Sequence, residues 1–562
     1  MLKDYFEVPN KPAIKSGNIL SCDFTDHETF IPQPLDFTRN TLATYVDCNG
    51  VIKVSGVSDI NLSPPEDFAT DFSSNPSSGT AVNNPDGTIT FANSTSSGAN
   101  VELQNRNITT TKTYQIKFTI SNYVQGTFRM SVGNQITPSL SANGTYVFYL
   151  TYTSGLNRNY FYTGNSTLTV SDISVKEVDL NLPRIDYLTE IGKAKELQKP
   201  SLLLEPQSTN KLTRSEEFSN SYWAKTNCTV QQSKITSPDG FQSSYKLIPD
   251  AGTGGNRSLA RNFTGLSNFH TWSVFARAAE YKYAILRTRN NPNVVVSFDL
   301  ENGTFNVNQS SAMYIADSAK IENYGNGWYR CSITLDPSQS TTVGQLYPSV
   351  SVGITGNEIN NFDGDGVSGI YVFGAQFEER NYSTSYIPTS GSTVTRNQDT
   401  AKNAGSAPVF NSEEGTFYAE IQALHTNQSW AASQSRLGVS SGSNNNRATI
   451  TLTSTNGINF VYKVGGVNSL SRTIAAGSID LYKMNKFAFT WKTDEFKIWF
   501  NGVEYGPRDV SGSVCPANTF EKFAFDRNND NSNIFKGRVK NIKTYRRVLT
   551  DSELTELTNN IT

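Results

Sequence analysis

Histidine, methionine and cysteine are all scarce: the 562 residues include 3 His, 4 Met and 5 Cys. His27, His270 and His425 lie far apart, and none stands near a GxSxG or HExxH string. That argues against a hydrolase triad and against a zinc protease. Cys22, Cys48, Cys228, Cys331 and Cys515 are odd in number, widely spaced and without a CxxC. Neither a zinc site nor a disulfide framework is indicated, and isolated thiols are expected. Charge is low as well, at 17% of residues with a net of -2, which gives no footprint for nucleic-acid binding and no acidic or basic tail. No run of about 18 apolar residues occurs, and the opening MLKDYFEVPNKPAIKSGNIL has no apolar h-region. Neither membrane insertion nor a Sec-type leader is expected. The Ala/Leu/Glu/Lys excess of a helical protein is also missing.

What is abundant is aromatic and small polar. There are 26 Tyr and 32 Phe, set among Ser, Thr, Asn and Gly, which is the composition of β-sandwiches with long polar loops. The length allows about three or four domains. The fold class read from this is all-β: antiparallel β-sandwich (jelly-roll) modules in series, behind a short N-terminal attachment segment. The organising stretch is Gly369 to Asp399. It opens as a strand, stops at Glu378-Glu379 and descends through Tyr386, Ile387 and Pro388 to Thr395-Arg396-Asn397. Asp172 to Asp179 is a fainter closing strand, and Thr38-Arg39-Asn40 matches Thr395-Arg396-Asn397.

Residues 1–60 form the attachment segment, broken by Pro9, Pro12, Pro32 and Pro34. Asn49-Gly50 between two β-prone runs predicts a type I′ hairpin there. Residues 61–180 form a first sandwich module, with period-2 runs at Thr113–Tyr123, Gly144–Tyr152 and Thr167–Val178. Residues 181–200 are a linker or a short helix. Residues 201–395 form a second module, opening at Leu202-Leu203-Leu204 and rich in strand-like runs such as Thr271–Arg277 and Gly327–Ile333. The acid-Phe-Ser openings at Glu66 and Glu216 read the two modules as diverged copies. Residues 396–562 form the last domain. Phe487, Phe489 and Trp491 share one strand face, as do Phe496, Ile498 and Phe500 on the next, which runs into an Asn501-Gly502 hairpin. Thr550 and Glu553 form a capping box, with Leu549 and Leu554 placed for a hydrophobic staple, so a short helix is expected there.

The order of Lys486–Trp491, Phe496–Val503, Phe535–Tyr545 and Arg546–Leu554 resembles the laminin-G/concanavalin-A-like jelly roll. The strings LLLEPQSTN, EEFSNSYWAK, TWSVFARAAE, NGWYRCSITL and GIYVFGAQFEERNYSTSYIPTSGSTVTR are similar to repeats of bacteriophage virion proteins, which are carbohydrate-binding-module-like sandwiches. FTRNTLATYVDCNGVIKV at Phe37 is similar to their preamble. The resemblance implies a tail-fibre, tail-spike or head-fibre type structural protein. It also implies a homotrimer exposed on the virion after assembly in the host cytoplasm, joined to other virion proteins through the N-terminal segment and contacting host-surface glycans. Two alternatives remain: an architectural head-fibre, collar or capsid-decorating protein without a sugar ligand, and a glycan depolymerase.

No enzyme activity is expected. Glycoside hydrolysis needs two carboxylates about 5–10 Å apart. Glu420, Asp494 and Glu504 lie near strands of the last domain, but the ExDxxE-type strand that marks glycosidases of the jelly-roll class is missing. Sugar binding needs aromatic faces beside amides and carboxylates. Among Trp223, Tyr281, Tyr283, Trp430, Trp499 and Tyr505, the ligand-binding candidates are Trp499, Tyr505 and Trp430. Trp272 and Trp328 sit in apolar strands and are expected in a core. Asp363 and Asp365, on the loop Asn361–Gly366, are the metal candidates, since hard oxygens on a glycine-rich loop can hold Ca²⁺. The alternative reading of that loop is two Asx turns.

Overall fold

A computed structural model describes residues 18–23, 35–62, 72–74, 80–92, 101–103, 108–154, 159–194, 197–252, 255, 257–288, 293–353, 362–424, 435–453, 457–527 and 531–559. The chain is all-β, and the helix Asp551–Thr558 is the only α-helix among the described residues. It divides into two compact units, residues 54–182 and residues 1–53 with 183–562.

The unit of residues 54–182 is an antiparallel sheet built on two 20-residue strands, Thr113–Val132 and Asn159–Val178. Strands this long stay in register over a curved core only where bulges bend them. Register shifts fall between Gly164 and Thr167, Thr167 and Thr169, and Ser171 and Ser174. Positive φ values at Asn122, Gly126, Asn165 and Asp172 supply the bends. Phe91, Phe118, Phe128 and Phe161 are buried in the core of this unit.

The other unit holds a sandwich of two six-stranded sheets. The strand Ile370–Glu378 runs between Tyr245–Pro249 and His270–Ala278, inside one of them. It is buried except at half-buried Tyr371, as a central strand should be. The register slips between Ser273 and Phe275, opposite Gly374 at φ +54. A Cβ on Gly374 would stand 3.0 Å from both Phe275 and Tyr386. The bulge lets Phe377 and Ala375 face the sandwich core, while Phe373 joins Phe275, Tyr324, Trp328 and Tyr386 in a second cluster outside it. Trp272 and Trp328 are both buried, in the inner and outer clusters respectively.

That outer cluster is covered by Val46 and Ile52, from the strands Thr44–Val46 and Ile52–Val54. Residues 36–53 therefore belong to this unit rather than to a separate arm. The hairpin forms, but not with a type I′ turn: the Asp47 carboxylate accepts from the amides of Asn49 and Val51, and only Gly50 takes a positive φ. Asn501-Gly502 does place both residues at positive φ, and Phe500 pairs with Val503 as a two-residue turn requires.

The last domain is a two-sheet jelly roll that borrows strands. Gly537–Tyr545 pairs on one side with Glu414–Ala423. Its other side is covered by Ser201–Leu204 and Asn18–Asp23. Leu202 and Leu204 lie in the core of this domain, so the Leu202-Leu203-Leu204 run completes the last sandwich instead of opening the second. A buried apolar run has no lasting partner until an edge is offered, and Gly537–Tyr545 offers one.

Where these borrowed segments meet, five charged side chains are buried together. Arg184 donates to Glu205 Oε2 at 2.7 Å, to Ser385 Oγ at 2.8 Å and also to Asp399. Arg396 donates to the same Glu205 oxygen at 2.7 Å and to the Pro206 carbonyl. Arg39 reaches Asp399 Oδ1 at 3.2 Å. The two Thr-Arg-Asn copies thus bring their arginines to the two carboxylates of one cluster. Burial alone would raise the Glu205 carboxyl, but Arg396, Arg184 and the Ser385 hydrogen bonds hold it far below the usual carboxylate range.

Candidate functional site

The second sheet of the jelly roll is formed by Val467–Ile474, Ile458–Val464, Arg447–Leu452, Ser435–Ser440 and Lys522–Ala524, in that order. Its strands alternate strictly. Leu437, Val439, Ala448, Ile450, Phe460 and Tyr462 face the core, so the residues between them face away. The pairing register sorts these outer residues into three rows across the strands. One row is Lys522, Ser440, Arg447, Lys463. The next is Ala524, Gly438, Thr449, Val461, Ser471. The third is Arg436, Thr451, Asn459, Thr473. None of these rows carries an aromatic side chain. A Cβ on Gly438 would stand 2.3 Å from the Ala448 carbonyl, so the middle row stays low beside the cationic one.

Arg447 is held by the turn before its strand, where its Nη1 donates to the Asn444 backbone carbonyl at 2.6 Å and to the Asn444 side-chain oxygen. It is 5% exposed, and its Nε is buried without a partner. Thr449 is 1% exposed, and its Oγ1 is likewise buried and unpartnered. Arg436 Nε donates to Thr451 Oγ1 at 3.1 Å. Burial first, then the charges of Arg436 and Arg527, push the Arg447 guanidinium down to about 10. Burial, Arg447 and Arg436 lower Lys463 in the same way. Among the described residues, the charges acting on these two groups are those of Arg436, Arg527 and Arg447. Asp526, on the adjoining loop, accepts from the Asn531 amide. Lys463, Lys522 and Asn459 are half-buried, while Ser471 and Thr473 are exposed. Arg436, Ser440 and Thr451 are buried like Arg447 and Thr449, so the accessible part of the face consists of Lys463, Lys522, Asn459, Ser471 and Thr473, whose cations, amide and hydroxyls suit a polyhydroxyl ligand with negative charge.

The aromatic candidates lie elsewhere. Trp499 is 7% exposed and lies on the back of the other sheet, beneath the helix Asp551–Thr558 with Tyr545, Leu549 and Leu554. Phe496 and Ile498 do face the core, and the layer on the opposite side is the capped helix. That helix sits where the capping box and staple put it, and it removes Trp499 from any open face. Tyr505 is half-buried at the open edge of the sandwich, donating to the Thr473 carbonyl at 3.4 Å. Trp430 lies outside the described residues, as does His425. Trp223 is core.

The metal candidates Asp363 and Asp365 lie on a loop ordered by its own hydrogen bonds. The Asp365 carboxylate accepts from the Val367 amide at 2.8 Å, the Ser368 amide at 2.7 Å and the Ser368 hydroxyl at 2.6 Å. These bonds pull it down to about 2 and make the loop an Asx turn. Asp363 is exposed. Among the described residues no three His, Cys, Asp or Glu side chains form a metal-holding group. The carboxylates weighed for hydrolysis are dispersed: Glu504 pairs with Arg508, Glu420 accepts from Tyr418, and Asp494 occupies a turn at φ +57. Cys48, Cys228, Cys331 and Cys515 are free thiols.

One further group of acids is close-set. Glu216 accepts from Tyr386 Oη at 3.0 Å. Asp239 accepts from Ser237, Phe241 and Ser243 of its own loop. Burial, then the Asp239 charge, raise Glu216 to about 8, against the Tyr386 hydrogen bond. A carboxyl raised on folding stabilises fully below its unfolded value and loses that stabilisation as pH rises through the folded one. Stability is therefore expected to fall by about 1–2 kcal/mol between pH 6.5 and 8. Urea midpoints measured across that range should show the fall in the native chain and flatten in Glu216→Gln; equal slopes in the two would remove Glu216 as the cause.

Comparison with known proteins adds the following. The Concanavalin A-like lectin/glucanases superfamily matches residues 362–555. That stretch is less than half of the chain, and it starts ahead of residue 396, inside the second sandwich. No curated protein matches the chain. Three solved structures give the range of similarity. The sialidase module CBM40 of Ruminococcus gnavus is 18% identical, covering 28% of this chain and 94% of its own, with a TM-score of 0.24. Domain 4 of the arabinanase AbnA of Geobacillus stearothermophilus is 16% identical over 29% of this chain and 73% of its own, with a TM-score of 0.21. The CBM22 tandem of Paenibacillus barcinonensis Xyn10C is 11% identical over 66% of this chain and 99% of its own, with a TM-score of 0.20. Similarity at this level carries no functional reading.

Proposed function

We propose that the protein is a glycan-binding structural appendage of a bacteriophage particle, of the tail-fibre, tail-spike or head-fibre type, whose C-terminal sandwich holds sugar on the outer face of its five-stranded sheet. The observation that carries the binding role is that face: three rows of hydroxyls, an amide and cations, with buried Arg447 and Thr449 atoms left unpartnered. Those atoms are a donor and a hydroxyl that a bound ligand can engage. The match of residues 362–555 to a lectin and glucanase superfamily is consistent with it. The virion setting rests on the repeat strings from Leu202 to Arg396 and the preamble at Phe37. In that setting the protein is a trimer, joined to other virion proteins near its N-terminus, and many weak sugar contacts are multiplied by avidity. The carboxylates weighed for hydrolysis are dispersed, and Asp239 of the close-set group is engaged by its own loop, which favours binding over cleavage.

The test is binding of the full chain to an array of neutral and acidic glycans and to host cells, with reducing ends assayed in parallel. Selective retention of a glycan class without new reducing ends is the expected result. A folded chain that retains none belongs with collar or capsid-decorating proteins, and new reducing ends would make it a depolymerase.

A further inference from the structure

We propose that the saccharide bound on this face is acidic, carrying a carboxylate or a sulfate, and that Arg447 and Lys463 are the pair that receives its charge, with Arg436 flanking them. The inference rests on the glycan-binding reading and adds the chemical class of the ligand. Arg447 and Lys463 stand directly opposite each other on neighbouring strands. Arg436 and Thr451 are likewise opposite on the other side of the same strand. Side chains directly opposite in a sheet are close neighbours, and like charges there are unfavourable.

At the junction of the borrowed strands this chain gives Arg39, Arg184 and Arg396 carboxylates within 3.2 Å. On the outer sheet face Arg447 is also buried, at 5% exposure, yet the charged groups acting on it are Arg436 and Arg527. A buried guanidinium surrounded by its own sign is unfavourable unless an anion arrives. An anion there can also accept from the Arg447 Nε donor and the Thr449 hydroxyl. A carboxylate or sulfate can accept from two guanidinium nitrogens at once. The amide of Asn459 and the hydroxyls of Ser471 and Thr473 suit the rest of a sugar. With no aromatic in the three rows, charge rather than ring stacking sets the preference.

The experiment is titration calorimetry of the full chain with three probes: an oligogalacturonate, a heparin-derived oligosaccharide and a neutral galacto-oligosaccharide. An acidic probe is expected to bind at least about tenfold more tightly than the neutral one, and the arm that binds separates carboxylate from sulfate. Arg447→Gln and Lys463→Gln should each weaken that binding by about tenfold or more, whereas Lys483→Gln, at an exposed position, should not. Arg447→Gln should also melt no lower than the native chain in the absence of sugar, because it removes an uncompensated charge. Equal affinity for the neutral probe, or unchanged binding in Arg447→Gln and Lys463→Gln, overturns the acidic ligand while leaving glycan binding in place. If no saccharide on calorimetry or array binds the folded chain, both readings fall.

Discussion

Replacing Glu205 with alanine is expected to destabilise the chain by about 3–5 kcal/mol, read as a shift in its guanidinium midpoint at pH 7. The carboxylate is nearly inaccessible and takes hydrogen bonds from two arginines and from the Ser385 amide and hydroxyl. Removing it leaves Arg184 with one carboxylate and Arg396 with none, both buried. The loss comes from stranded charge rather than from an intrinsically strong ion pair, so the order of removal matters. Arg396→Met in the Glu205→Ala background should recover part of the stability, giving a coupling of about 1–3 kcal/mol in a double-mutant cycle. The pH dependence has a fixed sign. A depressed carboxyl stabilises fully above its unfolded value of about 4.3, and that contribution is lost as pH falls below it. The native chain should therefore lose stability on acidification below that point more steeply than Glu205→Ala. A single-mutant cost under about 1 kcal/mol would mean that water reaches the cluster and screens it.

Trp491→Ala should cost a similar amount, about 3–5 kcal/mol, by opening a cavity in the last sandwich. Trp491 packs between Phe489, Phe520 and Tyr462, and its indole nitrogen donates to the Asn411 carbonyl at 3.1 Å. Its ring lies flat over Gly415 on the facing strand: a Cβ there would stand 2.4 Å from the indole. This contact yields a second, opposite-signed expectation. Gly415→Ala should destabilise the native chain through overpacking, yet add little further cost, or recover some stability, once Trp491 is alanine. Simple additivity of the two substitutions would show that the strands part to make room instead.

Much of the secondary structure could be read locally. Period-2 alternation marked the strands, the Thr550–Glu553 box marked the helix, and Asn501-Gly502 marked its turn. Asn49-Gly50 carried the same signal and misled, because Asp47 captured the loop amides first. Partner choice was not local. Nothing in Leu202-Leu203-Leu204 says that its partner lies at Gly537–Val539, and nothing in one Thr-Arg-Asn says that its arginine meets that of the other at a shared pair of acids. The candidate face did leave a trace: in Arg447–Leu452 the apolar residues alternate with Arg, Thr and Thr, and Arg436 repeats the pattern one strand earlier. Attention to aromatics hid it, since the Trp on the expected strand was needed under the helix.

The borrowed strands also impose a schedule. A ribosome makes Asn18–Asp23 and Ser201–Leu204 long before Gly537–Tyr545, the strand that pairs with both. Residues 54–182 form a unit of their own and can fold as soon as they emerge, whereas the flanking unit must keep its first strands waiting until nearly the whole chain has been translated. Contacts this distant along the chain fold slowly and expose unpaired edges meanwhile. A nascent chain that stalls after residue 500 would carry Asn18–Asp23 and Ser201–Leu204 without their shared partner, and any fragment begun after residue 204 would leave the last sandwich with an open edge and without the buried Leu202 and Leu204.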